Sequence, residues 1–274
     1  MAEQFLSRPH PAFINGEPAH FNDLLSLTFA GFAHFTFVQV RNGQVRALDL
    51  HLERLITASH QLFGQPLSED RIVREMKLAI GSSQDIGLLY YVYSDQGEFN
   101  HHRPTLQTLV RTLPASSGPT GPLQLKTVEY ERLLPDIKHV GEIAKTHFMH
   151  SAAQQGFDDA AFIDRQGYLL EASIWNLVFW DGEHIVWPEG PMLRGTMMAT
   201  VQRQLTRRGI SQKTQAIHIS DIRHFRAAAV LNSWSAGIAV SKIDEVVFTS
   251  SKHFIALLHN AYQQEPWEVL PSKT

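Results

Sequence analysis

Between Leu113 and Pro122 the chain reads LPASSGPTGP, where three prolines and two glycines in ten residues leave no room for a helix or a central strand. Such a run is a linker, and it splits the 274 residues into an N-terminal part, 1–112, and a C-terminal part, 123–274. Both parts fall in the ordinary size range of a domain, so the expectation is two domains joined at 113–122. No internal repeat or low-complexity tract interrupts either part.

Composition narrows the class. With 43% hydrophobic and 19% charged residues the chain has enough apolar material for one large core or two medium ones. A formal charge of −3 and no basic run provide no electrostatic footprint for nucleic acid or acidic lipid. Zero cysteines exclude disulfides, thiolate metal sites and cysteine nucleophiles, and they fit a reducing compartment. The opening MAEQFLSRPHPAF has no apolar stretch of signal-peptide length, and no segment approaches a membrane span. The expectation is a cytoplasmic protein with a small-molecule ligand, and with no nucleic-acid, membrane or metal partner.

The N-terminal part reads as α+β. FTFVQVRNGQVRAL alternates around Asn42-Gly43, a dipeptide suited to a type I′ turn, and predicts a two-stranded hairpin. Leu48, Leu52, Leu55, Ile56, Leu62 and Phe63 then recur at helical spacing up to Gly64. A second helix runs from a Ser68 cap to Gly81, and IGLLYYVYS follows as a buried strand. The C-terminal part opens with strand-like LQLKTVEYE and a helix near Glu142–Gln155 closed by Gly156. A meander follows, AAFID, YLLEAS, NLVFW and HIVWP, broken by the turn sequences DRQG and DGE. GTMMATVQRQLTRRG predicts a helix with glycine at each end, and AAAVLNSWSAGIAV a final strand and loop.

Two residues carry the strongest chemistry. Lys138 in DIKHVGEIAKTHF precedes Glu171 in DRQGYLLEASIWNLVFW by one helix and one hairpin, a pairing that suggests a pyridoxal phosphate site. A lysine can form an imine with the cofactor's aldehyde, and a carboxylate against the ring nitrogen keeps it protonated, so that the ring accepts electrons. On a regular strand Glu171 shares its face with Leu169, so its carboxylate points to an apolar interior and needs a cationic partner such as a pyridinium N–H.

Four stretches, in this order, resemble the class IV aminotransferases, the fold-type IV pyridoxal phosphate enzymes that include branched-chain and D-amino-acid aminotransferases and aminodeoxychorismate lyase. They are the hairpin with HLER, the IKHVG lysine, DDAAFIDRQGYLLEASIWNLVF, and LRGTMMATV with LNSWSAGIAV behind it. The resemblance covers most of the chain and implies a small α+β domain, a larger domain with a barrel-like sheet and packed helices, a short linker between them, and a homodimer. It also selects the lysine: Lys138 stands 33 residues before Glu171, as the family pattern requires, whereas Lys145 stands 26 before it, inside the following helix.

The same resemblance implies that Lys138 and Glu171 are catalytic, that Arg54 clamps the cofactor's phosphate, and that Thr196, Met197 and Ser233 complete the phosphate seat. Asn176 matches an asparagine that ties the meander together. Phe35, Phe37, Trp175 and Trp234 become candidates for the substrate wall, and Arg103, with His101 and His102, for a substrate carboxylate; neighbouring histidines on a strand diverge and cannot share a metal. The chain departs from better-known branches at Phe37, where lyases resemble Phe-x-Thr. It departs again at Met198, where most relatives have arginine, and at Ile143, where aminotransferases often have tyrosine. Three readings follow: an aminotransferase using a small-molecule amino donor and keto acceptor, a 4-amino-4-deoxychorismate lyase releasing pyruvate and 4-aminobenzoate, and a non-catalytic pyridoxal-phosphate-binding protein.

Overall fold

A computed structural model describes residues 11–20, 31–94, 105–249 and 252–271. His101, His102 and Arg103 lie outside the described residues. The described chain falls into two compact units. The first contains residues up to Ser116, Ile137–Glu142 and those from Pro266 on, and the second contains Ser117–Asp136 and Ile143–Glu265. The unit changes inside the expected linker, but 123–274 is not one block: two short stretches of it group with the first unit. Both are recruited by backbone pairing, which leaves no mark on composition.

In the first unit β1 (Ala12–Ile14), β2 (Glu17–Pro18), β3 (His34–Val40), β5 (Ile86–Ser94) and β6 (Leu106–Pro114) form an antiparallel sheet in the order β2-β1-β6-β5-β3, and β4 is the short strand Val45–Arg46. The β3–β4 turn is the expected one, with Asn42 and Gly43 at φ 50° and 70°. Helices α1 (Leu48–Phe63) and α2 (Glu69–Ile80) cover one face through Leu52, Leu55, Ile72 and Met76, packed on Val38, Leu88 and Tyr90. Their ends follow the sequence signals: Gly64 is left-handed at φ 71°, and Ser68 Oγ accepts from the Arg71 N–H at 3.3 Å. Buried Glu75 of α2 is tolerated because Tyr90 Oη, Thr108 Oγ1 and Arg71 Nε donate to it at 2.5, 2.7 and 2.9 Å.

Two late segments complete this unit. Trp267 and Glu268 pair with Arg46 and Val45, and Glu268 Oε1 accepts the Leu48 N–H at 3.1 Å at the start of α1. Residues 137–140 lie along β3: Phe35 N donates to Lys138 O at 2.9 Å, Val140 N donates to Ala33 O at 2.8 Å, and His34 faces His139.

The second unit is built on one sheet containing β7 (Leu123–Glu129), β8 (Asp159–Ile163), β9 (Leu169–Ala172), β10 (Asn176–Trp180), β11 (Ile185–Pro188), β12 (Gln212–Gln215), β13 (Ala227–Asn232) and β14 (Ser235–Ile243). Strand β9 pairs with β8 and, through Glu171↔Asn176, with β10. The path β10-β13-β14-β7-β8-β9 therefore returns to β10 and closes as a barrel. Alternate positions fill it, among them Leu125, Ala161, Leu169, Leu177, Phe179, Val230 and Val240. The outward set, Val178, Trp187 and Leu231, meets α4 (Thr196–Arg207) and α5 (Lys252–Gln263) through Met197, Val201, Phe254 and Leu258. Helix α3 (Ile143–Gln154) lies on β8.

The sequence expectations for the meander and for α3 and α4 agree with these elements. AAAVLNSWSAGIAV does not end in a loop: it is a hairpin, β13 and β14, joined at Ser233-Trp234. No glycine marks this turn, because Asn232 Oδ1 makes it by accepting the Trp234 N–H at 2.8 Å. Among the described residues no helix is long and apolar enough to cross a membrane.

Two histidines tie α1 to β3. His34 Nε2 lies 2.9 Å from Ser59 Oγ, and His51 Nδ1 lies 2.7 Å from Thr36 Oγ1. Both pKa values are lowered from 6.5 to about 3, chiefly by burial; at His51 the Arg54 charge also lowers it and the Asp49 charge opposes. Both stay neutral in the fold while the unfolded chain takes up protons near pH 6.5, so this stability is complete above pH 6.5 and is lost as pH falls toward 3. By pH 5 each histidine should cost about 2 kcal/mol. Urea unfolding at pH 7 and pH 5 should show that loss, and His34→Gln or His51→Asn, which keep one polar contact without titrating, should each remove about half of it; an unchanged slope in both variants would assign the acid sensitivity to other groups.

Candidate functional site

The first unit positions Lys138, Phe35, Phe37 and Arg54. Because 137–140 pairs with β3, Lys138 and Phe35 stand opposite one another on the sheet face turned away from α1. Lys138 Nζ lies 4.7 Å from the Phe35 ring centroid, and Phe35 stacks on Tyr91 of β5 at 5.2 Å and 27°. Phe37 shares that face and lies across Gly87; a Cβ there would stand 2.8 Å from its ring. Arg54 is half-buried on α1, close enough to His51 for its charge to act on that imidazole. The neighbours of Lys138 include a pair that the sequence did not flag: His139 Nε2 lies 3.0 Å from the buried Glu142 carboxylate.

The second unit positions Glu171, Asn176, Thr196, Met197, Ser233, Trp175 and Trp234. Glu171 is buried, as its neighbours suggested, but all four residues of β9 are buried, so alternation did not decide it. The cationic partner lies within the chain: Arg132 Nη1 donates to Glu171 Oε1 at 3.2 Å, and Leu193 N reaches the same oxygen at 3.4 Å. Arg132 was missed because nothing local distinguishes it in YERLLPD; only the fold brings it across 39 residues to Glu171.

Asn176, beside Glu171 across the β9–β10 pair, holds the loop that leads into α4. Its Nδ2 donates to Leu193 O at 2.6 Å and its Oδ1 accepts the Gly195 N–H at 3.0 Å. A Cβ at Gly195 would collide with Asn176 Oδ1, which explains the glycine. No side chain caps α4 at Gly195 and its first turn has no acidic residue. Thr196 Oγ1 and Ser233 Oγ meet 3.3 Å apart at this end. Two hydroxyls beside the N–H groups of a helix start fit a phosphate. A carboxylate offers about four acceptor positions, and one held by an arginine also fits a ring N–H. The residues of this unit thus fit the phosphate and ring nitrogen of pyridoxal phosphate.

Other candidates read differently in the structure. Met197 is 5% exposed, so only its backbone N–H is available to a phosphate. Met198 is buried in the same apolar cluster, where an arginine would lack water or a partner. Trp175 is 3% exposed and packs the barrel core, so its place is a core position rather than an open wall. Burial raises the pKa of the Asp159 carboxyl, and Trp234 meets Trp175 edge to face at 6.2 Å and 65°. Lys145 lies within α3, and Ile143 begins that helix 87% exposed. Among the described residues no group of three or more His, Asp or Glu is arranged to hold a metal.

The sequence model described as amino-transferase class IV matches residues 33–243. The "Probable branched-chain-amino-acid aminotransferase" of Rickettsia felis is 24% identical over 241 residues, covering 83% of this chain and 81% of the relative. The "Bifunctional aminodeoxychorismate lyase / D-amino acid transaminase" of Mycobacterium tuberculosis is 24% identical over 251 residues, covering 82% and 86%. In structure the chain is similar to the branched-chain aminotransferase of the thermophilic archaeon Thermoproteus uzoniensis with norvaline, at a TM-score of 0.81 and 17% identity, covering 93% of this chain and 94% of that one.

The Arg132–Glu171 pair is buried on both sides, at 3% and 6% side-chain exposure. Removing one partner leaves a buried charge alone and should cost about 3–5 kcal/mol. Denaturant unfolding of Arg132→Met should show that loss at neutral pH, and adding Glu171→Gln should restore part of it; a single variant as stable as the parent would mean that the pair is not holding the barrel.

Proposed function

The chain belongs to the class IV aminotransferases, and from that premise we propose that it is a pyridoxal-phosphate-dependent transaminase acting on a small amino acid or amine. When bound, the cofactor supplies an aldehyde that links to amines and a ring that takes up electrons. Lys138 provides the amine that anchors it. Lys138, when its amine is free, would act as the base that takes the proton from the donor's Cα and passes it on to the cofactor. Glu171, held by Arg132, would keep the ring nitrogen protonated, while Arg54, Ser233 and the N–H groups of Thr196 and Met197 would hold the phosphate. The net reaction would exchange the donor's amino group for the carbonyl oxygen of a keto acceptor.

One observation carries the choice of transamination: Phe37, packed over Gly87 on the face that bears Lys138, presents no hydroxyl where the lyases resemble Phe-x-Thr. The lyase remains the second reading because the Mycobacterium tuberculosis relative is named for both activities. The resemblance also implies a homodimer.

The test is a visible spectrum of the purified protein with pyridoxal phosphate, with and without Lys138→Ala, followed by D-alanine, L-glutamate and (R)-1-phenylethylamine. The cofactor band should be lost in the variant, one donor should bleach it in the parent, and turnover in the variant should fall ~10²–10⁴-fold. A band that survives in Lys138→Ala would move the role to Lys145. Release of pyruvate with 4-aminobenzoate, without bleaching by any donor, would replace the transaminase by the lyase. Light scattering should give twice the chain's mass; a monomer would sink the dimer.

A further inference from the structure

Residues 137–140 act as an added edge strand of the first unit, and their register on β3 fixes which way Lys138 faces. Phe35 is its cross-strand neighbour, and Tyr91 is the neighbour of Phe35 on the other flank. The three side chains therefore stand in one row, with the ammonium 4.7 Å from the Phe35 centroid and the two rings 5.2 Å apart. A slip of one residue would send Lys138 to the reverse face, where His34 and His139 stand.

We propose that the face of the Phe35 ring is the resting place of the Lys138 amine, and that Phe35, braced by Tyr91, is the positioning residue of that lysine. An aromatic face attracts an ammonium through its quadrupole. A lysine stem is flexible, and the ring face favours one of the positions open to its charge. Tyr91 is suited to brace the ring without adding charge, since burial pushes its hydroxyl pKa up and it stays neutral. Among the described residues, charged groups on this part of the unit include Arg111, on the same sheet face, and the His139–Glu142 pair, whose imidazole points to the reverse face beside His34. Phe35 thereby holds the lysine itself, a role separate from lining a substrate wall. Only the consequence for turnover, that a displaced amine returns to one place, rests on the function proposed above.

The experiment uses the full chain free of cofactor, so it does not depend on turnover. The neutral amine attacks acetic anhydride and releases acetate, and acetylation of Lys138 can be followed by peptide mass spectrometry with Lys145 as the internal reference. Near neutral pH, Phe35→Leu should speed labelling of Lys138 about two- to fivefold, because the ring no longer favours the ammonium. Phe35→Trp, with a stronger quadrupole, should slow it. At about pH 11, above the ordinary lysine pKa, the three proteins should label alike.

An unchanged rate in Phe35→Leu near neutral pH overturns the proposal. So does faster labelling at both pH values, which would report wider access rather than a lost cation–π contact. Should Phe35→Leu fail to fold, Phe35→Trp decides: slower labelling confined to the lower pH supports the resting place, and any other result overturns it. If the cofactor band does not depend on Lys138 but the labelling behaves as expected, the resting place stands and only its catalytic meaning is lost, so the two failures remain distinguishable.

Discussion

The β9–β10 pairing at Glu171↔Asn176 is the contact on which the second unit depends. Without it the sheet is an open path whose last strand is β9; with it the path returns to β10 and encloses Leu125, Leu169, Leu177, Phe179 and Val230. The residues at that joint are polar, and each is satisfied by a different part of the chain. Glu171 takes the Arg132 guanidinium, and Asn176 holds both ends of the loop at Leu193–Gly195. Closing the barrel therefore also sets the start of α4, because the side chain that joins the strands fixes the residue before the helix.

In the first unit β3 has the corresponding role. One face carries His34 and Thr36 to the polar contacts under α1, and the other carries Phe35 and Phe37. Its free edge receives residues 137–140, and so a lysine more than a hundred positions away in sequence is presented from the same strand. The alternation of a single strand separates the polar contacts under α1 from the face that bears Lys138, Phe35 and Phe37. The polar side holds because two histidines remain uncharged, and the open side because Gly87 makes room for a phenylalanine ring.

The legible elements share one property: their signals are local. Asn42-Gly43 supplies positive φ for its own turn, Ser68 caps the helix it precedes, and Gly64 ends the helix it follows. The β13–β14 hairpin was less legible because its turn is made by the Asn232 side chain, and an asparagine before Ser-Trp is a weak signal. Glu171 was legible as a buried carboxylate, but its partner was not. Arg132 has no periodicity or neighbour to distinguish it, and a buried ion pair is a property of two places at once. Trp175 shows the reverse case: its chemistry suggested a wall, and closure of the barrel made it core.

By itself the sequence determined the helices with their caps, the meander and the spacing of Lys138 from Glu171, because each depends on residues near one another or on a count along the chain. The tertiary structure alone decided that 137–142 and the C-terminal end group with the first unit, that β9 closes the sheet, that Arg132 meets Glu171, and that Lys138 lies over Phe35. Each of these is a long-range backbone pairing or a contact between distant side chains. Its free energy exists only once the rest of the unit has brought the partners together, so no local stretch of sequence encodes it.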